Sequence, residues 1–223
     1  MKRNKIYSIK HKLLTLVVLL FSITQIAMAQ TGNWDSYQAT GYDSGSGTAT
    51  NPYIIKTAEQ LAYFAARVTA NQDQNVYVEL GDDIDLGAHW WRPIGNRSGA
   101  RPSGFSGNFD GKGYTISNLR GNWGSEENHG FFSFINGGSV RNILFENAYL
   151  TNTSGNIGTN NSARRVGVLA AGTNNYPTIE NIIVRNSKID ITKECSQNGT
   201  WSWWADWWAV PISPRTMPTS MWM

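Results

Sequence analysis

Three carboxylates crowd four positions at Asp82, Asp83 and Asp85. Hard oxygen ligands at that density suit calcium, but the spacing lacks the loop of an EF-hand. On a strand, Asp83 and Asp85 share one face while Asp82 points away. Short acidic side chains in a turn or at a strand edge bond backbone amides instead, and the spacing favours that use, so no metal ligand is assigned. Trp90 and Trp91 follow a few residues later. Indole faces stack on sugar rings, which makes both candidate carbohydrate contacts. Alternation along an extended chain sends neighbours to opposite faces, so one is expected in the core and the other outside. Arg92, Arg97 and Arg101 share one loop-rich stretch. Guanidinium groups pair with carboxylates such as those of uronates, the chemistry of a polysaccharide lyase. No matched general base accompanies them, and no catalytic residue is assigned. Asp110-Gly111 with Gly113 is a tight-turn signal. A single cysteine, Cys195, rules out an internal disulfide and a cysteine-based metal site. No cofactor is expected.

The compartment is written at the start of the chain. "MKRNKIYSIKHK" is basic and free of acid, "LLTLVVLLFSITQIAMA" is apolar but short, and Ala27-Met28-Ala29 has the small-x-small form of a cleavage site. Residues 1–29 are expected to be a signal peptide, with the mature chain starting at Gln30 and holding no integral membrane span. That leader carries five of the 19 basic residues and no acid, so the mature chain has 14 basic against 16 acidic residues. The formal charge of +3 becomes −2, and a nucleic-acid partner loses its electrostatic basis. About 194 residues remain, the size of one domain with a real core.

Residues 30–50 are rich in Gly, Ser and Thr and read as a lead-in segment. Thr57 and Gln60 then form a T-x-x-Q capping box, and Leu61, Phe64, Ala65 and Val68 follow at i, i+3, i+4, i+7. One helix with one apolar face is predicted over 58–70. Beyond residue 75 the chain changes to short apolar runs between Gly, Asn and Asp corners: "VYVEL", "DIDL", "FSGNFDGKGYTISNL", "SVRNILF" and "TIENIIV".

These runs repeat. Thr115-Ile116-Ser117-Asn118-Leu119, Ser139-Val140-Arg141-Asn142-Ile143 and Thr178-Ile179-Glu180-Asn181-Ile182 share a template of small hydroxyl, β-branched, polar, Asn, aliphatic, at steps of 24 and 39 residues. A strand–turn unit repeating on this scale marks a solenoid. Asn118, Asn142 and Asn181 are predicted to stack as a structural corner ladder, with Ile116, Val140 and Ile179 as an inward apolar column beside them. The longer step implies an excursion over 151–165. Gly130-Phe131-Phe132 and Gly167-Val168-Leu169 form a further pair.

The ordered segments "GTATNPYIIKTAEQLAYFA", "DIDLGAHWWRPIGN" and "FSGNFDGKGYTISNL" resemble the amino-terminal part of bacterial cell-surface proteins with GLUG repeats. Gly130-Phe131-Phe132-Ser133 and Gly167-Val168-Leu169-Ala170 are imperfect forms of the G-L-[VF]-G core. The likeness covers about residues 47–190. It implies an all-β right-handed parallel β-helix with one amino-terminal capping α-helix, exported to the surface of a Bacteroidetes-type cell. Some such proteins carry an immunoglobulin-cleaving metallopeptidase domain, but this chain has no H-E-x-x-H and inherits no such expectation.

The resulting expectation is a capped β-helix over 51–195 in a secreted or cell-surface protein, structural or adhesin-like and not an enzyme, with an extracellular glycan or a host surface protein as partner. The alternative is a carbohydrate-active β-helix enzyme. Residues 196–223 depart from all of this: "WSWWADWWAV" holds five of the ten tryptophans. If Ser202 uses a TCN codon, reading the stretch one base earlier gives codons that can encode a V-G-G-L-V-G core, so the tail is expected to be the out-of-frame end of a truncated solenoid and to pack poorly.

Overall fold

A computed structural model describes residues 32–95, 104–122, 128–152 and 165–191. The leader, Arg97, Arg101, Cys195, the Trp-rich tail and most of the 151–165 excursion lie outside the described residues. After a single 3-10 turn, Trp34–Ser36, come β1 (Tyr53–Ile55), α1 (Ala58–Thr69), β2 (Tyr77–Leu80), β3 (Ile84–Asp85), β4 (Asn108–Asp110), β5 (Thr115–Ser117), β6 (Arg120–Asn122) and β7 (Asn128–His129). The rest is β8 (Phe132–Asn136), β9 (Ser139–Glu146), β10 (Tyr149–Asn152), β11 (Arg165–Val166), β12 (Ala170–Asn174), β13 (Thr178–Arg185) and β14 (Lys188–Ile191). The described chain is mostly strand with one α-helix, and every pairing between named strands is parallel.

Thr57 sets the start of α1. Its backbone is extended and its Oγ1 accepts the Gln60 amide at 3.3 Å. Gln60 reaches back one residue further than a standard capping box, its Oε1 accepting from the Lys56 amide at 2.8 Å. Leu61, Phe64, Ala65 and Val68 are all buried, each larger side chain contributing roughly 1.5–3 kcal/mol relative to exposure. The Phe64 ring meets Phe105 edge-on at 5.4 Å and Phe109 at 5.9 Å. The helix connects two strands that pair in parallel, β1 and β2, and so covers the Phe core. The outer edge of β1 is closed by the lead-in instead: Ile54 donates to the Ser44 carbonyl at 2.9 Å, and Asp43 donates back to that of Ile54 at 3.0 Å.

Three successive passes of the chain, beginning at Asn108, Ser139 and Thr178, lie in register. Phe109, Val140 and Ile179 face one another, as do Asp110, Arg141 and Glu180. This corrects the repeat as the sequence suggested it. Thr115-Ile116-Ser117 pairs with Leu144-Phe145-Glu146, the second half of β9, rather than with its first half. The column expected from Ile116, Val140 and Ile179 is therefore two columns. Tyr53, Val78, Phe109, Val140 and Ile179 make one, and Ile84, Ile116, Phe145 and Val184 make the other. The first pass carries a longer corner, Gly111 to Tyr114, where the second has Asn142 and Ile143. The first corner of that pass holds no Asn, so the sequence match fell on the second corner, five residues out of register.

Gly138 shows how closely the passes approach. It has φ +67°, and a Cβ there would lie 2.0 Å from the Gly107 carbonyl oxygen of the pass before. Between the sheets sits an aromatic core of Phe105, Phe109, Phe131, Phe132 and Phe145, with Phe131 and Phe132 edge-on at 4.9 Å. The last described pass is open by comparison. Val184 is 46% exposed although its neighbour Phe145 is fully buried, and Ile179 is 41% exposed beside fully buried Val140.

Candidate functional site

The Asn corners are the first site residues to place. Asn181 donates its Nδ2 to Asn142 Oδ1 at 3.0 Å, and Asn142 donates to Asp110 Oδ1 at 2.9 Å. Both asparagines are in the left-handed region, φ +52° and +57°, which Asn tolerates better than other residues with a Cβ. Asn118 is not in this ladder. It follows Ser117, which faces Glu146, so its corner is that of Asn147, and its Nδ2 goes to Asp85 Oδ1 at 2.9 Å. A third stack, Asn175 Nδ2 on Asn136 Oδ1 at 2.8 Å, was outside the sequence template altogether. Each of these side-chain amide hydrogen bonds runs to the preceding pass, and two of the three stacks begin on an Asp. Ionised carboxylates only accept, so an Asp can head such a ladder without losing a bond.

Asp110 is the better anchored of the two heads. It accepts from Asn142, from the Lys112 amide at 2.9 Å and from Arg141 Nε at 3.0 Å. Burial alone would push its carboxyl up, but the Asn142, Lys112 and Arg141 bonds outweigh that and hold it below the usual carboxylate range. The three clustered acids are used in the same way. Asp82 Oδ1 accepts the Asp83 amide at 2.8 Å, Asp83 Oδ1 the Thr115 amide at 2.7 Å, and Asp85 Oδ1 the Gly87 amide at 2.8 Å. Among the described residues no three His, Cys, Asp or Glu side chains converge on a cation position.

The adjacent tryptophans separate as alternation requires. Trp91 is 4% exposed, stacks on Phe131 at 5.4 Å and 10°, and donates Nε1–H to the Phe131 carbonyl at 3.1 Å. It is a core anchor and cannot touch a sugar, which corrects its place among the carbohydrate contacts. Trp90 is half-buried on the other side, its backbone paired with Gly32 and Trp34. Beside it in sequence, His89 stacks on Tyr37 at 3.6 Å and 9°, and Trp34 meets His89 edge-on at 4.8 Å. Arg92 pairs with Asp35 at 3.4 Å.

A shallow groove of about 190 Å³ lies across the outward face of β2, β4 and β9. Its floor has two rows. Tyr77, Asn108 and Ser139 are in register, and so are Glu79, Asp110 and Arg141. Ala49 and Pro52 form a wall. Ser139 Oγ donates to Asn108 Oδ1 at 2.7 Å, and Lys112 approaches Glu79 at 3.6 Å. Sequence reasoning missed this groove. Alternation marks these residues as outward-facing, but only the register of 31 residues between β4 and β9 puts them side by side.

One buried polar cluster fixes the groove's wall to the helix. Asp73 accepts from both Arg67 Nε and Nη2, and from the Tyr42 hydroxyl at 2.5 Å. Tyr42 stacks on Tyr53 at 4.0 Å. Burial, then the bond to Asp73, pushes the Tyr42 phenol well above its ordinary range.

No family model matches the chain. It is 31% identical over 150 residues to a candidate Gly-rich membrane protein of Evansella cellulosilytica, covering 64% of this chain and 15% of that one. It is 32% identical over 119 residues to halomucin of Haloquadratum walsbyi, covering 52% of this chain and 1% of that one. The chain thus spans a small part of the curated relatives it matches. Among solved structures, a candidate immunoglobulin A1 protease from Bacteroides ovatus matches 56% of this chain and 38% of its own, at 28% identity and a TM-score of 0.41. No helix among the described residues is long and apolar enough to cross a membrane.

Proposed function

We propose that the chain is an exported, surface-associated, adhesin-like β-helix protein without catalytic activity, which presents its stacked flank to extracellular glycans or proteins. The observation that carries this reading is the register of the passes. Parallel strands in register give an apolar inner column and, at alternate positions, an outer face of polar side chains. Parallel crossovers are right-handed in nearly all proteins, which supports a right-handed coil. The names of the two curated relatives, a membrane protein and a halomucin, are compatible with a surface location, as is a leader ending at Ala29.

The groove's chemistry favours binding over turnover. A general acid needs a carboxyl that stays protonated near neutral pH. Asp110 is held in the opposite direction, its oxygens already engaged by three donors. The test is a glycan and host-protein array run beside a reducing-end release assay on host and plant polysaccharides. Binding without release is the expected outcome. Release of reducing ends would identify a carbohydrate-active enzyme and overturn the reading.

A further inference from the structure

We propose that the groove across β2, β4 and β9 is a subsite for one neutral pyranose unit of a glycan chain. This rests on the surface-binding reading and narrows it to a place and a ligand class. The groove volume of about 190 Å³ is smaller than a drug-sized pocket and leaves room for one sugar ring at most.

The charge of the floor selects the class. Glu79 and Asp110 put two carboxylates in the groove, and each already has its cation, Lys112 at 3.6 Å from Glu79 and Arg141 at 3.0 Å from Asp110, so neither cation is left over for an anionic ligand. Arg141 already spends its Nε on Asp110 at 3.0 Å. A uronate or sialate would bring a third carboxylate beside Glu79, and like charges brought together at a binding surface are strongly disfavoured. A neutral sugar meets no such barrier. Its hydroxyls can donate to Glu79, whose side chain is 31% exposed, and accept from the remaining Arg141 N–H groups. With its Oδ1 taken by Ser139, Asn108 offers its amide nitrogen as a further donor. Tyr77, 39% exposed at one end of the floor, supplies a ring for the C–H face of the sugar.

The site is also pre-organised, which lowers the ordering cost of binding. The floor side chains stand on paired strands. The wall is tied down where Tyr77 donates to the Gly47 carbonyl at 3.0 Å. Gly45, at φ +95°, lets the wall turn close: a Cβ there would sit 1.8 Å from the Pro52 carbonyl oxygen.

The experiment is calorimetric titration of the full mature chain with neutral hexose and pentose oligosaccharides, with oligogalacturonate and sialyllactose as anionic probes. Neutral oligomers are expected to bind and the anionic ones not. Tyr77→Ala and Glu79→Gln are each expected to weaken binding about tenfold, the loss of one stacking or hydrogen-bonding contact, with melting temperature unchanged. Four results overturn the proposal. A preference for the anionic probes refutes the ligand class. Binding that survives Tyr77→Ala and Glu79→Gln but is lost in Trp90→Ala places the sugar on the Trp90 face and leaves the broader reading standing. Failure of every neutral oligomer to bind, with a protein ligand captured on the same array, refutes the subsite while the surface-binding reading survives. Failure of glycans and proteins alike refutes both.

Discussion

Asn142 is the middle member of a three-residue ladder, and substituting it separates the two jobs it does. Its side chain donates to an ionised Asp110 at 2.9 Å and accepts from Asn181 at 3.0 Å, and its backbone sits at φ +57°. A hydrogen bond to a charged group contributes about 1.5–3 kcal/mol and a neutral one about 0.5–1.5 kcal/mol. Both bonds are partly open to solvent, so the low ends apply and together come to about 2 kcal/mol. Asn142→Gly removes both bonds but keeps a backbone at ease in the left-handed region, and should cost about 2 kcal/mol. Asn142→Ala adds the Cβ clash of that region, about 1 kcal/mol more. Asn142→Asp keeps the shape but sets two carboxylates face to face. Its cost should equal or exceed that of Ala at pH 7 and shrink as the pH falls, because like-charge repulsion raises the pKa of the pair and protonation then relieves it. Urea unfolding followed by tryptophan fluorescence, read as midpoint shifts at constant m-value, measures all three. Equal losses for Gly and Ala would show that the left-handed corner does not persist in solution. A Gly variant as stable as the parent would show that the ladder contributes nothing net.

Other outcomes follow from the same contacts. Asp110 and Asp73 both have carboxyls held below their usual range, by bonds that outweigh the effect of burial. The stability they contribute is therefore full above the unfolded value near about 4 and is lost as pH falls through the depressed folded values. Asp110→Asn should cost about 1–3 kcal/mol at pH 7 and flatten the acid limb of a plot of Tm against pH; an unchanged limb would refute the assignment. Trp91→Ala should cost about 3–5 kcal/mol and Trp90→Ala under about 1 kcal/mol, as seen by calorimetry. Tyr42→Phe should lose about 1 kcal/mol and remove from the alkaline absorbance titration the one phenol that resists ionisation longest. Mass spectrometry of exported protein should find Gln30 at the amino terminus, and a chain retaining residues 1–29 would refute cleavage after Ala29.

The helix was the most legible element, because capping and a 3.6-residue apolar period agree at Thr57 to Val68 and nothing in the core opposes them. Predicted over 58–70, it spans Ala58–Thr69. Strand positions were legible for a similar reason, since Gly, Asn and Asp mark each corner. Register was not. Aligning Asn118 with Asn142 satisfied a five-residue template, but the true unit has two corners, seen as Asn142 with Asn147 and Asn181 with Asn186, all at positive φ. Asn118 is the second corner of its pass, and its first corner is built from Gly111 to Tyr114 with no Asn to announce it. The groove was invisible for the same cause: neighbours across strands are set by register, and the five-residue error between Asn142 and Asn147 dissolves them. The separation of Trp90 from Trp91 needed only alternation, whereas which of them faced inward needed the position of Phe131.

The polarity of the amide ladders has a consequence for how such a chain can vary. An Asn corner both gives and receives, so one Asn-bearing pass is interchangeable with the next, and a duplicated pass can be spliced in after it without rewriting its neighbours. An Asp-headed corner only receives. Moved inward, it would face the amide oxygen of the pass before it with nothing to offer. The two ladders headed by Asp85 and Asp110 are thus fixed at that end, while their Asn members can be exchanged for one another. Even the spacing is free: β4 to β9 takes 31 residues and β9 to β13 takes 39, with the same corners met each time. Length and loop content can drift between lineages while the opening stays put, much as a sentence can be extended after its first clause but not before it.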